Sequence, residues 1–301
     1  MATAVSSTSS RGLREWITNP WGKARFLWVV GIGYVAWTLL PVALAVLFSF
    51  NTGRSISAWQ GFSTRWYFGD ENSVFANPEL RAALAQSLKL ATIAMLVAVP
   101  LGVAFALALD RWRGRGAGTQ NFLMMLSFVT PEIALAIALF LAFTQVARFV
   151  GVGTGAQSLW LITLMLAYPV IIVRARLLSI GKEYEEAAMD LGASPTQAIR
   201  RVLLPLLSPA IFASFAIVFA ASIDDFVMVQ QLSSEESTQT IAIKIYSSAR
   251  TGPLPSLNAL ASITLFASTV MIALAVWFYR RSTRGERSAD EPGGPAAALP
   301  I

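Results

Sequence analysis

The sequence contains no cysteine and no histidine among its 301 residues. Without cysteine, the chain cannot form a disulfide, present a thiolate nucleophile or hold a metal through sulfur. Without histidine, it lacks the most common metal ligand and the side chain that most often acts as a general base near neutral pH. Both absences argue against hydrolytic and zinc-dependent chemistry.

Charged residues are also scarce. They make up 13% of the chain, whereas apolar residues make up 55% and the mean hydropathy is +0.59; soluble domains carry about a quarter charged residues. A helix needs roughly 20 apolar residues to cross a bilayer, and six such runs occur, at residues 26 to 50, 83 to 109, 121 to 147, 158 to 178, 207 to 229 and 257 to 279. We therefore predict an all-α, polytopic membrane protein with six transmembrane helices.

The first run resembles a signal peptide, because basic residues precede it and Ala43, Leu44 and Ala45 resemble a cleavage site. Its apolar stretch of about 25 residues exceeds the 7 to 15 of a signal peptide. We therefore expect a retained first span. The predicted organisation is a tail at 1–25, a six-helix transmembrane domain at 26–280 with a large loop at about 179–206, and a second tail at 281–301.

The distribution of basic residues predicts the orientation. With six spans, 16 of the 23 Lys and Arg residues fall on the side of the two termini and 6 on the opposite side, while Lys89 lies within a span. The positive-inside rule then places both termini and the loop at 179–206 in the cytoplasm. The net charge of +6 thus reflects topology and contact with lipid headgroups, and we predict no nucleic-acid partner.

The loop at 179–206 has the pattern of two short helices joined by a tight turn. The stretch "EYEEAAMDLG" begins with acidic residues that suit a helix N-terminus and ends at Gly192. Ser194, Pro195 and Gln197 then form the capping box of a second helix. A DNA-binding helix-turn-helix has a similar pattern, but here both ends are tied to the bilayer. The alternatives are a solvated connector and a docking element for a cytoplasmic partner.

The same loop resembles the EAA motif of permease subunits of binding-protein-dependent ABC importers, E-A-A-x3-G-x9-I-x-L-P. The matching residues are Glu186, Ala187, Ala188, Gly192, Leu204 and Pro205, with Val202 in place of the usual isoleucine. The resemblance implies a type I ABC importer permease fold. It also implies that Glu186, Ala187, Ala188, Gly192, Leu204 and Pro205 couple this chain to the movement of an ATPase subunit.

ATP hydrolysis is not expected in this chain, which has no G-x-x-x-x-G-K-[ST] phosphate loop. The resemblance implies no cofactor of its own, with ATP and Mg bound by partner subunits. The implied partners are a second permease subunit, two ATP-binding subunits and an extracytoplasmic substrate-binding protein. The implied location is the bacterial inner membrane.

Three acidic residues fall within predicted spans, where ionisable groups are costly and often functional. Glu132 follows Pro131 in the third span, and Asp224 with Asp225 lies towards the outer end of the fifth. Acidic groups at the mouth and middle of a path would favour a cation. The alternatives are an ion pair of Lys89 with one of these acids, and a purely interfacial position for the two aspartates.

The segments around these acids resemble the second permease subunit of spermidine/putrescine importers. They are "TPEIALAIALF" at 130–140, "SIDDFV" at 222–227 and "IAIKIYSSARTGPLPSLNALASI" at 241–263. The resemblance implies a polyamine cargo, whose ammonium groups the acids would attract. Related permeases for iron, thiamine and opines share much of this pattern and are the alternatives, as is a secondary transporter that needs no ATPase.

Overall fold

The computed structural model describes residues 25–55, 58–111, 130–150, 165–233, 238–251 and 255–287, together with residues 119, 122, 126, 162 and 163. In chain order, the helices are α1 (Arg25–Ser49), α2 (Arg65–Phe68), α3 (Pro78–Arg111), α4 (Glu132–Val150), α5 (Ala167–Ile180), α6 (Glu183–Asp190), α7 (Pro195–Ala198), a π-helical segment (Ile199–Leu203), α8 (Leu204–Asp224), α9 (Val227–Leu232), α10 (Ile241–Thr251) and α11 (Pro255–Arg287). The described part of the chain is all-α, as the sequence predicts.

Within the described residues, four stretches of helix are long and apolar enough to cross a membrane: Leu27–Ser49, Pro78–Arg111, Pro195–Asp224 and Pro255–Arg281. They correspond to the first, second, fifth and sixth predicted spans. The third is represented by the shorter apolar helix Ile133–Ala142, and the predicted fourth span overlaps α5. Since parts of both lie outside the described residues, the total of six stays a prediction. Most of the two predicted tails, at 1–24 and 288–301, also lies outside them.

Two predicted spans are interrupted. The fifth was predicted to run to residue 229, but α8 ends at Asp224 and the backbone of Asp225 is extended, with φ −68° and ψ 102°. The third was predicted as a helix from 121 to 147, whereas α4 begins at Glu132, directly after Pro131. Proline disfavours helical backbone at the residue before it, which explains the bend at Thr130.

The core is formed where α3, α5 and α8 pack against one another. Its buried side chains are apolar and include many small ones on α3, which lets the helices approach closely. The members are Leu90, Ala94, Ala98, Val99, Val103, Ala106, Leu109, Met165, Val170, Val173, Leu177, Leu203, Leu207, Ala210 and Val218. By contrast, α1 packs mainly on α11 and leaves most of its apolar side chains exposed.

A second cluster organises the segment between α1 and α3. Trp66 is 1% exposed and packs with residues of α3, α10 and α11. Its indole Nε1 donates a hydrogen bond to the carbonyl oxygen of Asn51 at 2.7 Å. The Asn51 side chain in turn donates to the carbonyl oxygen of Ala58 at 2.9 Å and accepts from the backbone N–H of Gln60 at 2.8 Å. This loop is therefore held by specific contacts.

An ion pair closes the same loop. Arg65 Nη2 lies 2.5 Å from Asp70 Oδ2. The hydrogen bond from Arg65, together with that from the backbone N–H of Asn72, holds the pKa of Asp70 below its ordinary value. A lowered carboxyl pKa stabilises the folded loop above the unfolded pKa, and the contribution is lost as the pH falls through the folded pKa.

A close contact between α3 and α5 leads to a test of the packing. A Cβ atom added to Gly102 of α3 would lie 2.4 Å from Cγ of Pro169, which is buried in α5. The proline ring cannot rotate away, so we expect Gly102→Ala to force the helices apart and destabilise the protein by about 1–3 kcal/mol. The melting temperature of the detergent-solubilised protein should fall.

The control is Gly31→Ala in α1, where an added Cβ atom meets nothing within 4 Å. Alanine is the better helix former by about 1 kcal/mol, so this control should melt at the parental temperature or above it. Equal melting temperatures for the two variants would contradict the close α3–α5 contact.

Candidate functional site: the coupling module and the acidic residues

The coupling module comprises residues 183–203. Gly192 determines the turn between its two short helices, α6 and α7. The end of α6 has two hydrogen bonds typical of a Schellman motif: Ala193 N–H donates to Ala188 O at 3.0 Å, and Gly192 N–H donates to Met189 O at 2.9 Å. This geometry needs a left-handed residue, and Gly192 has φ +90°. The predicted helix stop at Gly192 is confirmed.

The predicted capping box is present at the start of α7. Gln197 N–H donates to Ser194 Oγ at 3.4 Å, and Ser194 N–H donates to Gln197 Oε1 at 3.0 Å. Pro195 occupies the first turn of the helix, where its missing N–H is not needed. The turn between the two helices is therefore specified on both sides, which makes the module a defined structure instead of a loose connector.

A π-helical segment joins α7 to the membrane helix α8. Leu204 N–H donates to Ile199 O, five residues earlier. The next residue, Pro205, has no N–H and its ring would crowd the carbonyl group of Arg201 in a regular α-helix. A wider π turn before the proline removes this conflict. The sequence predicts that the second helix continues through this region, but it does not predict the π-helical hydrogen bonding.

The module exposes an unusual amount of apolar surface. Leu191 is 91% exposed, Tyr184 56% and Met189 40%. Glu186, Ala187 and Gly192 are exposed as well, and Ala188 is half-buried. Exposed apolar side chains on a predicted cytoplasmic loop favour an interaction surface. The exposed groups are small, apolar and acidic, which suits docking to a protein partner.

The last two motif residues do not share that surface. Leu204 packs against the core, and Pro205 is exposed in the first turn of α8. The six predicted coupling residues thus fall into two groups. The first four lie on the candidate docking surface of α6 and the adjoining turn, whereas Leu204 and Pro205 lie where the chain enters α8. Their role in coupling an ATPase stays a prediction.

The two aspartates occupy different environments. Asp224 is the last residue of α8 and is exposed. Asp225 is half-buried, and its Oδ1 accepts a hydrogen bond from Met228 N–H at 3.0 Å. Asp225 therefore caps α9. This cap is a structural reason for an acidic residue at position 225. Capping leaves the carboxylate charge in place at the break between α8 and α9.

Glu132 is the first residue of α4; its side chain lies outside the described residues. Helix α4 packs against α9, so the helix that Asp225 caps contacts the helix that Glu132 begins. The structure describes no ion pair between Lys89 and Asp224 or Asp225, and Lys89 is exposed on α3. That alternative for the aspartates is therefore not supported.

Sequence reasoning missed two features of the site. Leu191, directly before Gly192, is an apolar residue in a polar segment, and this pattern could have marked it as a docking residue. The other feature is the ion pair of Arg111 on α3 with Glu185 on α6. These residues lie 74 positions apart, and no local pattern in one sequence joins them.

Comparisons with known proteins agree with this arrangement. The family profile described as "Binding-protein-dependent transport system inner membrane component" matches residues 98–287. The chain is 31% identical to the putrescine transport system permease protein PotI of Escherichia coli strain K12, over 87% of this chain and 94% of PotI. It is 34% identical to the spermidine/putrescine transport system permease protein PotC of the same strain, over 83% and 92%.

The fold is also similar to that of a solved structure. A chain of a bacterial ABC transporter involved in the import of the acidic polysaccharide alginate superposes with a TM-score of 0.61 at 18% identity, covering 86% of this chain and 95% of that one. At this identity the likeness concerns the fold alone.

Replacement of Gly192 tests the coupling surface. An added Cβ atom at Gly192 would meet nothing within 4 Å, so the cost comes from φ +90°, on the order of 1–3 kcal/mol for a residue other than glycine. We expect Gly192→Asp to distort the turn, add a charge to the docking surface and uncouple transport while membrane insertion stays normal. The measurement is the cargo-stimulated ATPase activity of the reconstituted complex.

Thr196→Asp is the control, because it adds the same charge to an exposed position of α7 with ordinary helical backbone. It should retain most of the stimulation. Normal stimulation in the Gly192→Asp complex would show that this turn is not the coupling contact.

Proposed function

We propose that this chain, which belongs to the family of binding-protein-dependent transport system inner membrane components, is the permease subunit of a polyamine importer. As a member of that family it is a multi-pass membrane permease and not itself an ATPase. The cargo, the composition of the complex and the roles of individual residues are the parts that we propose.

The polyamine cargo is supported mainly by the extent of similarity to two polyamine permeases. The 31% and 34% identities extend over 87% and 83% of the chain, and the family match at 98–287 includes the segments at 130–140, 222–227 and 241–263. A polyamine carries several ammonium groups, each of which is costly to remove from water unless it is paired. Acidic groups beside a path would offset that cost.

The break between α8 and α9 is where this acidity is best placed. Asp224 is exposed at the end of a helix, and Asp225 lies next to it with its carboxylate held by the cap on α9. A carboxylate whose position is fixed by a hydrogen bond loses less conformational freedom when a cation binds. We assign Asp225 the larger role in cargo passage, with Glu132 as a second acidic position and Asp224 as a weaker one.

The proposed complex contains this chain, a second permease subunit, two ATP-binding subunits that hold ATP and Mg, and an extracytoplasmic substrate-binding protein. The apolar surface of α6 would dock to an ATP-binding subunit. Both termini would lie in the cytoplasm of the bacterial cell. The chain itself would hold no cofactor.

The experiment that tests the cargo is uptake of labelled putrescine and spermidine, compared with ferric iron and thiamine, in cells with and without this chain. We expect the chain to be required for uptake of at least one polyamine. Chain-dependent uptake of iron or thiamine alone would replace the polyamine proposal, and uptake that survives loss of the ATP-binding subunits would favour a secondary transporter.

Neutral substitutions test the acidic residues. We expect Asp225→Asn and Glu132→Gln to depress polyamine uptake strongly, by about tenfold for each ~1.4 kcal/mol lost in the rate-limiting state. Asparagine retains a side-chain oxygen that can accept the bond from Met228 N–H, so Asp225→Asn removes the charge while keeping the cap. Asp224→Asn should have a weaker effect.

The matched control is Glu71→Gln, which removes an exposed carboxylate from the loop between α2 and α3. It should transport at the parental rate. Parental uptake by both Asp225→Asn and Glu132→Gln, or a loss of uptake only because the complex no longer assembles, would make these acids structural.

A further inference from the structure

The coupling module is attached to the rest of the protein in two ways: through the chain at both of its ends, where it joins α5 and α8, and through an ion pair. Along the chain, α6 continues through α7 and the π segment into α8, and it packs against both of these short elements. The second attachment is the ion pair in which Arg111 Nη2 donates to Glu185 Oε2. This pair joins α6 to a different membrane helix, α3.

The helix geometry favours this pair at both ends. Arg111 is the last residue of α3, where the partial negative charge of the helix C-terminus stabilises a cation. Glu185 lies in the first turn of α6, where the partial positive charge stabilises an anion. The Glu185 side chain is only 12% exposed and that of Arg111 is 37% exposed. The carboxylate is therefore held in place and partly shielded from water.

Helix α3 is suited to carry a displacement away from the module. It supplies Leu90 to the core cluster, Leu84 to the cluster around Trp66 and Ala91 to a third cluster with α8. At 1.5 Å per residue, its 34 residues span about 50 Å. The helix continues through Pro100 and is packed along its length by all three clusters, so a displacement at one end can reach the other.

The opposite end of α3 has polar links of its own. Glu79 Oε2 accepts a hydrogen bond from Lys244 Nζ at 3.0 Å, and Ser87 Oγ accepts from Ile241 N–H at 2.9 Å. Both partners belong to α10. Side-chain bonds thus join α3 to α6 at one end and to α10 at the other. Together they form a contiguous physical connection from the coupling module to α10.

We propose that Arg111 and Glu185 are positioning residues that make α6 move together with α3, so that displacement of the docking surface reaches the far end of the bundle. The proposal rests on the proposed function, because it requires that a partner ATPase moves α6. Neither residue contacts cargo. Their role is to set how much of the movement of α6 is converted into transport.

The test uses the whole reconstituted complex with its binding protein and putrescine as the probe. The variants are Arg111→Glu, Glu185→Arg and the double variant that exchanges the two charges. Two quantities are measured: stimulation of the ATPase by the binding protein, without and with putrescine, and putrescine transported per ATP hydrolysed. The matched control is Glu71→Arg, which makes the same charge change at an exposed position in the loop between α2 and α3, outside the module.

We expect each single variant to lower ATPase stimulation and transport per ATP about two- to fivefold, the range for a partly exposed ion pair. The charge-exchanged variant should recover most of both quantities, and Glu71→Arg should stay near the parental values. Parental ratios in the single variants would overturn the proposal, as would an assembled double variant no better than the single ones.

Two further outcomes are also decisive. The single variants could assemble poorly. If the double variant then recovers assembly but not transport per ATP, the ion pair is merely structural and the proposal is overturned. If the parental complex does not take up putrescine, the cargo proposal fails alone, because stimulation of the ATPase by the binding protein without putrescine still reports the effect of the pair.

Discussion

The structure depends on one constraint: hydrocarbon offers no hydrogen-bond partner to the backbone, so each interruption of a membrane helix must be satisfied by the protein itself. The break after α8 meets this requirement with Asp225, whose carboxylate accepts from the N–H group of Met228. An aspartate can therefore be retained there for the backbone as well as for cargo. The proline that begins α8 imposes a similar demand, which the π turn before it satisfies.

The same constraint explains which parts of the fold could be predicted from the sequence. Long apolar runs favour membrane helices, so four spans could be predicted. Most of the ends of these spans were predicted to within a few residues. Gly192 and the capping residues Ser194 and Gln197 act through bonds to near neighbours, so they too were predictable. The end of α8 was not, because residues 225–229 are as apolar on average as a helix interior, and the break is shown by the extended backbone of Asp225 and by its side-chain bond to Met228 N–H.

A single sequence does not reveal which distant segments of the chain contact each other. The pairing of Arg111 with Glu185 and the approach of Gly102 to Pro169 depend on how α3 lies against α5 and α6. The acidic residues of the proposed path were found by charge alone, and charge does not distinguish a cap from a cargo contact. For Asp225 the structure adds the cap, and both roles are compatible because capping preserves the negative charge.

The packing of the bundle bears on where a cargo path can lie. The space between α3, α5 and α8 is filled by buried alanine, valine and leucine side chains, and an ammonium group could not cross it without losing its hydration unpaired. Asp224 instead faces outwards at the end of α8. An outward-facing acid and a filled interior favour a path along the surface of this chain, which a second permease subunit would have to close. The packed core between α3, α5 and α8 is therefore consistent with the proposed pairing of two permease subunits.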